Sequence, residues 1–187
     1  RRAEDHFEAV LLLDPTFSLA RVQLAATKIS ILKTGASFDS ILLDEAKSLV
    51  RTVLSDDPEN GAAHRVLAIV HMFRGDWEES ETELNTALTL APSDSQSMVQ
   101  LANLQMYGGN PDGALMLMGR AVRIDPFGAN VLQNFGNAQQ RVGQFTQARA
   151  RFARAIELHP SNPNNSWMLG KLQVYDLGEM SDGLHSF

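Results

Sequence analysis

The sequence predicts an all-α fold of antiparallel helix pairs stacked one on the next. Three observations predict it. Pro92, Pro126 and Pro160 stand 34 residues apart, and Gly75, Gly109 and Gly143 keep the same step. Small residues keep it too, at Ala87, Ala121 and Ala155, as do the bulky residues Leu67, Leu101, Phe135 and Leu169. Between these points apolar residues recur at helical spacing. A constant period of this size marks a repeat architecture, in which each unit packs on its neighbours and length follows from the number of units.

Composition sets the outer bounds. With 187 residues, 44% hydrophobic and 20% charged, the chain has the make-up of an ordinary folded soluble protein, not a disordered one. No apolar run reaches the length needed to span a membrane, and no basic-then-apolar leader is visible at the start. The first residue is Arg1, not Met, which leaves room for an upstream segment with a targeting signal of its own. The absence of cysteine excludes disulfides, thiolate metal sites and a cysteine nucleophile, and fits a reducing, cytoplasmic setting. The net charge of -6 argues against nucleic acid as the main partner. That charge is uneven. Residues 37–94 carry twelve acids against four Lys/Arg, whereas residues 129–162 carry four arginines against one acid. The contrast reads either as two solvated outer faces or as oppositely charged ends that steer partners or stack head to tail.

Taken in order, residues 1–15 read as the second helix of a partial repeat. Ala3, Phe7, Val10 and Leu11 form one apolar face, and Asp14-Pro15 ends it, because the residue before proline is pushed out of the helical region. Residues 18–60 form an irregular repeat. Pro15 to Pro58 is 43 residues, nine more than the period. The added residues lie near Thr34 to Leu43, so either both helices are longer or a longer loop joins them, and Gly35 and Ser37 favour a break.

Residues 61–94, 95–128 and 129–162 are regular repeats. In the first, Val66, Leu67, Ile69 and Val70 line helix one, and Gly75 closes it in a left-handed conformation. Asp76 with Glu79 three residues on reads as an acidic capping box, with Trp77, Leu84 and Leu88 facing inward. In the second, Gly108-Gly109 makes the turn, Asn110 caps and Pro111 takes the first helical position. In the third, Gly143 turns and Phe145, Ala148, Phe152 and Ala155 lie inside. Residues 163–187 form a truncated repeat. Trp167, Leu169 and Gly170 are in register there, and the late Gly178 implies a one-residue insertion near Asp176 or Leu177. Gly183 and Phe187 then match a second helix. The two partial repeats imply either continuation of the protein or covering of the ends by another chain, including self-association as a homo-oligomer.

These residues resemble the tetratricopeptide repeat family. Its pattern places bulky residues at positions 4, 7 and 24, small ones at 8, 20 and 27, and proline at 32. Leu132, Phe135, Gly136, Ala148, Phe152, Ala155 and Pro160 fit each of them, as do Met98, Leu101, Ala102, Ala114, Met118, Ala121 and Pro126. The repeat from Gly61 departs with His64 and Ser80. The resemblance covers nearly the whole chain as one domain, residues 1–187. It implies a right-handed superhelix whose concave face, lined by the first helices, binds an extended peptide or a helix. Positions 2, 5, 9, 12 and 13 point into that face. They are Gln96, Val99, Asn103, Met106 and Tyr107, then Asn130, Gln133, Asn137, Gln140 and Arg141, then Asn164, Trp167, Lys171, Val174 and Tyr175, with Asn134 beside them. Amides can grip a peptide backbone through donor and acceptor alike, and Trp and Tyr are frequent binding hot spots. Exposed first helices must also carry polar residues for solubility alone. The Lys/Arg/Asn clamp with which one subclass holds chaperone tails is absent. Arg65 and Ile69, Val99 and Asn103, and Gln133 and Asn137 occupy its places.

Motifs for catalysis are missing. There is no Walker loop, GxSxG elbow, dinucleotide fingerprint or HExxH. His64 and His71 read as satisfied, partly buried histidines, and His159 as a cation at a helix end. The run Glu78, Glu79, Glu81 and Glu83 reads as a solvated face, and Met98, Met106, Met116 and Met118 as core or groove lining. The expectation is a non-catalytic protein-interaction scaffold with no cofactor and no metal. The alternative is a regulatory or oligomerisation module of a larger bacterial signalling protein, since AVRIDP and ALTLAPSD resemble repeats attached to nucleotide cyclases and winged-helix regulators.

The register makes a stability prediction. Ala121→Phe forces a large ring into a tight helix crossing, at a cost of roughly 1–3 kcal/mol, and lowers the melting temperature clearly. Gln100→Ala leaves it unchanged; equal melting temperatures for the two variants count against the register.

Overall fold

The computed structural model describes residues 2–34, 39–162, 164 and 167–173. Among these the chain is helical throughout, with no strand. The helices are α1 (Arg2–Leu13), α2 (Ser18–Thr34), α3 (Ser40–Asp56), α4 (Gly61–Arg74), α5 (Trp77–Leu90), α6 (Ser95–Tyr107), α7 (Pro111–Ile124), α8 (Ala129–Arg141) and α9 (Phe145–Leu158), and residues 167–173 are helical as well. The chain divides into two compact units, Arg1–Ser97 and Met98–Phe187, and the division falls within α6.

In the first unit consecutive helices pack on each other from α1 to α5, and α2 also packs on α4, its counterpart in the next repeat. One apolar cluster joins α2, α3 and α4, through Val22, Ala25 and Ile29, then Ala46, Val50 and Val53, then Ala63, Val66 and Val70. The nine extra residues are shared out evenly. α2 and α3 each have 17 residues where α4 and α5 have 14, so each helix is longer by three. The remaining three enlarge the connection, which ends at Asp39, whose carboxylate accepts from the Ile41 N–H at 2.9 Å as the cap of α3. Of the apolar face predicted for α1, Phe7 and Leu11 are half-buried, while Ala3 and Val10 are exposed. A charged contact adds to the hold on α1. Lys28 on α2, with 7% of its surface exposed, reaches Glu4 on α1 and Glu45 on α3, both at 2.7 Å.

Two expectations in this unit are corrected. Asp76 sits at the start of α5 but makes no side-chain cap. Its carboxylate meets His71 Nδ1 at 3.0 Å instead, because a histidine one turn before Gly75 competes for the same oxygen. Trp77 faces outward and is about half exposed, whereas Leu84 is fully buried and Leu88 half-buried. The expected turn at Gly75 is present, with φ 81°. The structure adds a cap not expected from the sequence: Asn60 Oδ1 accepts from the Ala63 N–H at 3.1 Å at the start of α4.

In the second unit α7 packs on α8 and α8 on α9. Asn110 Oδ1 accepts from the Gly113 N–H at 3.1 Å, with Pro111 first in α7. Gly109 and Gly143 take φ 83° and 79° at the repeat turns. Leu132, Ala148, Phe152, Ala155 and Met168 form the core around α8 and α9. Phe145, expected inside, is half exposed at the first position of α9. Gly136 is the tightest point. A Cβ built there would lie 2.7 Å from Cε1 of the Phe152 ring, and Phe152 is itself fully buried. Gly178, Gly183, Phe187 and the insertion inferred near Asp176 or Leu177 lie outside the described residues.

Two substitutions of opposite sign test this packing. Gly136→Ala gains helix propensity of about 0.5–1 kcal/mol but must displace a confined ring, at roughly 1–3 kcal/mol, so the melting temperature falls. Ser80 occupies a small-residue position in the first unit. It is fully buried, and its hydroxyl has no hydrogen-bond partner among the described residues. Ser80→Ala removes that unmet group and raises stability by about 1 kcal/mol. Thermal denaturation of both variants checks the two signs together.

The Lys28 contact predicts a pH dependence. Burial pushes the ammonium pKa down, but its hydrogen bonds to Glu4 and Glu45 outweigh this and hold it above the ordinary value of 10.5. A cation whose pKa is raised by folding stabilises fully below its unfolded pKa, and that contribution is lost as pH rises through the folded value. The melting-temperature gap between wild type and Lys28→Met therefore stays constant at neutral and mildly basic pH. It narrows above the ordinary lysine value; a gap that widens there contradicts the assignment.

Candidate peptide-binding face

Positions 9, 12 and 13 of a helix lie three and four residues apart and so share a face. In the second unit this face is built on α6, α8 and residues 167–173, and hydrogen bonds link its side chains between neighbouring repeats. Asn103 on α6 donates to Asn134 Oδ1 on α8 at 3.2 Å. Asn134 in turn donates to the carbonyl and the side-chain oxygen of Asn130, both at 2.8 Å. Arg141 donates to the Tyr107 hydroxyl at 3.0 Å and stacks over that ring at 4.6 Å. Asn164 donates to Gln133 Oε1 at 3.5 Å. Lys171 donates to Asn137 Oδ1 at 3.1 Å and to Gln140 Oε1.

These partners are 31 or 34 residues apart in most cases. The repeat period therefore recurs as a ladder of polar contacts between first helices. Asn134 has its amide nitrogen engaged twice and serves as an internal tie. Asn137 uses its oxygen for Lys171, and no bond among the described residues engages its two N–H groups.

The aromatic part of the face is held from below. Trp167, about half exposed, meets the Phe152 ring edge-on at 5.9 Å. Lys171 Nζ lies over Trp167 at 4.1 Å and over Phe152 at 5.5 Å. Burial pushes the Lys171 pKa below the ordinary lysine value, and the nearby Arg141 charge pushes it the same way.

One predicted residue does not belong to this set. Val99 is completely buried and joins the core, because an apolar side chain at position 5 gains more by packing than by facing solvent. Gln96 stands in the first turn of α6, and its backbone N–H donates to Asp94 Oδ1 at 3.1 Å. Tyr175 and Val174 lie outside the described residues. From the sequence Phe152 reads only as a core residue. Its part in seating Trp167 and Lys171 comes from a second helix, which a set of first-helix positions does not include.

In the first unit Arg65 Nε donates to Asp94 Oδ2 at 3.1 Å, and Ser97 Oγ donates to the same oxygen at 2.6 Å, so Arg65 is tied to its own repeat. His64, His71 and His159 have partners. His64 Nδ1 lies 2.5 Å from Glu83 and its Nε2 2.9 Å from the Pro58 carbonyl, while His159 meets the Phe127 carbonyl. No group of three or more His, Cys, Asp or Glu side chains among the described residues could hold a metal ion. No helix among them is long and apolar enough to cross a membrane.

Repeated helix pairs with small residues at the crossings, glycine turns at a fixed step and a polar ladder between first helices define an α-helical repeat protein. Two family models, both described as tetratricopeptide repeat, match residues 42–104 and 134–182. The chain belongs to the tetratricopeptide repeat family, a class of protein-interaction scaffold. No curated protein matches it by sequence. Solved structures similar in fold include TTC0263, a thermophilic tetratricopeptide repeat protein of Thermus thermophilus, at 18% identity and TM-score 0.76 over 91% of this chain and 89% of that one. They also include MamA, at 18% identity and TM-score 0.56 over 84% and 86%. YrrB, a tetratricopeptide repeat protein described as having an unusual peptide-binding site, is 17% identical with TM-score 0.54 over 91% and 83%.

Proposed function

We propose that the chain is a non-catalytic scaffold that holds a peptide or helix of another protein on the face formed by α6, α8 and residues 167–173. The observation that carries this reading is Trp167. A large ring is left about half exposed yet fixed in place by the edge of Phe152 and by Lys171 above it. A pre-positioned aromatic surface loses little conformational freedom on binding, which is the property of a binding hot spot. Asn137, bonded through its oxygen to the same Lys171, offers its N–H groups to a backbone carbonyl. The peptide-binding site described for YrrB supports the reading at the level of fold.

The test compares proteins captured by wild type and by Asn137→Ala/Trp167→Ala after melting temperatures confirm that both are folded. The double variant is expected to lose its specific partners, with affinity reduced roughly tenfold or more, as for removal of a hot-spot residue. Retention of the same partners at the same strength sinks the proposal.

A further inference from the structure

Lys171 and Arg141 are the cations of this face, and neither has a carboxylate partner among the described residues. Lys171 is hydrogen-bonded to the neutral oxygens of Asn137 and Gln140, and Arg141 to the hydroxyl of Tyr107. The second unit has three carboxylates among its described residues: Asp112, Asp125 and Glu157. Asp112 and Asp125 sit at the two ends of α7, and Glu157 on α9 is paired with Arg154 at 2.7 Å. None of the three is on the face.

The two cations are also brought together. Gln140 and Arg141 are adjacent in the last turn of α8, and Lys171 reaches across to Gln140, so both charges lie at the same helix end. The carbonyls of that end offer about half a negative charge, which offsets only part of two full positive ones. Repulsion between them shows in Lys171, which burial first and Arg141 second push toward its neutral form. Two cations with flexible stems are held side by side on aromatic platforms, although solvent would separate them at little cost.

We infer that the segment bound on this face carries an acidic side chain, an Asp or Glu carboxylate seated between Lys171 and Arg141. This rests on the peptide-binding reading above and names the chemistry of its partner. A carboxylate there accepts from both cations, and charge-assisted hydrogen bonds of this kind are about twice as strong as neutral ones. An internal side chain suits the face better than a chain end. Asn103, Gln133 and Asn137 lie alongside the cations, and a backbone running past the pair covers them, whereas a terminus at the pair leaves part of the ladder uncovered.

The experiment uses an array of short random-sequence peptides, acetylated and amidated so that no chain end supplies a carboxylate, probed with the whole chain. Selected peptides are expected to be enriched in Asp or Glu at one position. Changing that residue to Asn or Gln, or introducing Lys171→Met, weakens binding about tenfold, whereas Lys171→Arg retains it. Arg141→Gln, at an exposed site, gives the same direction if Lys171→Met fails to fold. Peptides selected in a Trp167-dependent manner without acidic enrichment overturn this inference and leave the peptide-binding reading standing. Binding that requires a free C-terminus overturns it as well. An array with no Trp167-dependent peptide removes both.

Discussion

The ring of Phe152 approaches the backbone of α8 so closely that residue 136 has no room for a Cβ. That constraint links packing to surface in the second unit. Glycine at 136 lets α9 lie against α8 with a phenylalanine between them. The ring then reaches far enough to meet Trp167 by its edge and to lie beneath Lys171. A larger residue at 136 would push the ring outward and shift both. The corresponding crossings elsewhere are made by Ala68 and Ala102, which are likewise fully buried. Close approach of helices through small residues is the common device, and at Gly136 it also supports the exposed aromatic group.

The first unit shows how such a device tolerates an irregular repeat. Nine added residues leave Ala46, Val50 and Val53 fully buried, because they are divided among two helices and the connection between them. Three residues are less than one turn of 3.6, so each lengthened helix gains nearly a full turn at the end away from the prolines. The part of the repeat that packs on its neighbours keeps its register. Lys28 ties α1, α2 and α3 together where apolar burial of α1 is thin, and it does so with both of its carboxylates held at hydrogen-bond distance. A cation this buried is tolerated because it is paired on two sides.

On the polar face, the amides serve two ends. Some, like Asn134, are used up in joining one repeat to the next. Others, like Asn137, keep donors unengaged among the described residues. The ladder therefore fixes the spacing of first helices and leaves a pattern of unused groups whose positions are set by the fold. The two cations are exceptions, since the charge they carry is not met by any carboxylate on the face among the described residues.

The sequence by itself determined the helix pairs, their turns and their small-residue crossings, because a fixed period of 34 residues allows each to be read against its copies. Gly75, Gly109 and Gly143 take left-handed conformations as expected, and Ala87, Ala121 and Ala155 are fully buried. Side-chain direction at the edges was less legible. Trp77 and Phe145 open a helix and turn outward, where the apolar pattern places them inside. Asp76 bonds His71 in place of its cap, and Val99 withdraws into the core, since each choice depends on which neighbour is within reach. Tertiary structure alone decided which amides bond to each other, that Phe152 supports Trp167, and that Lys171 lies beside Arg141. Those partners are 31 or 34 residues apart or lie on different helices, and only the folded spacing brings them within a few ångströms.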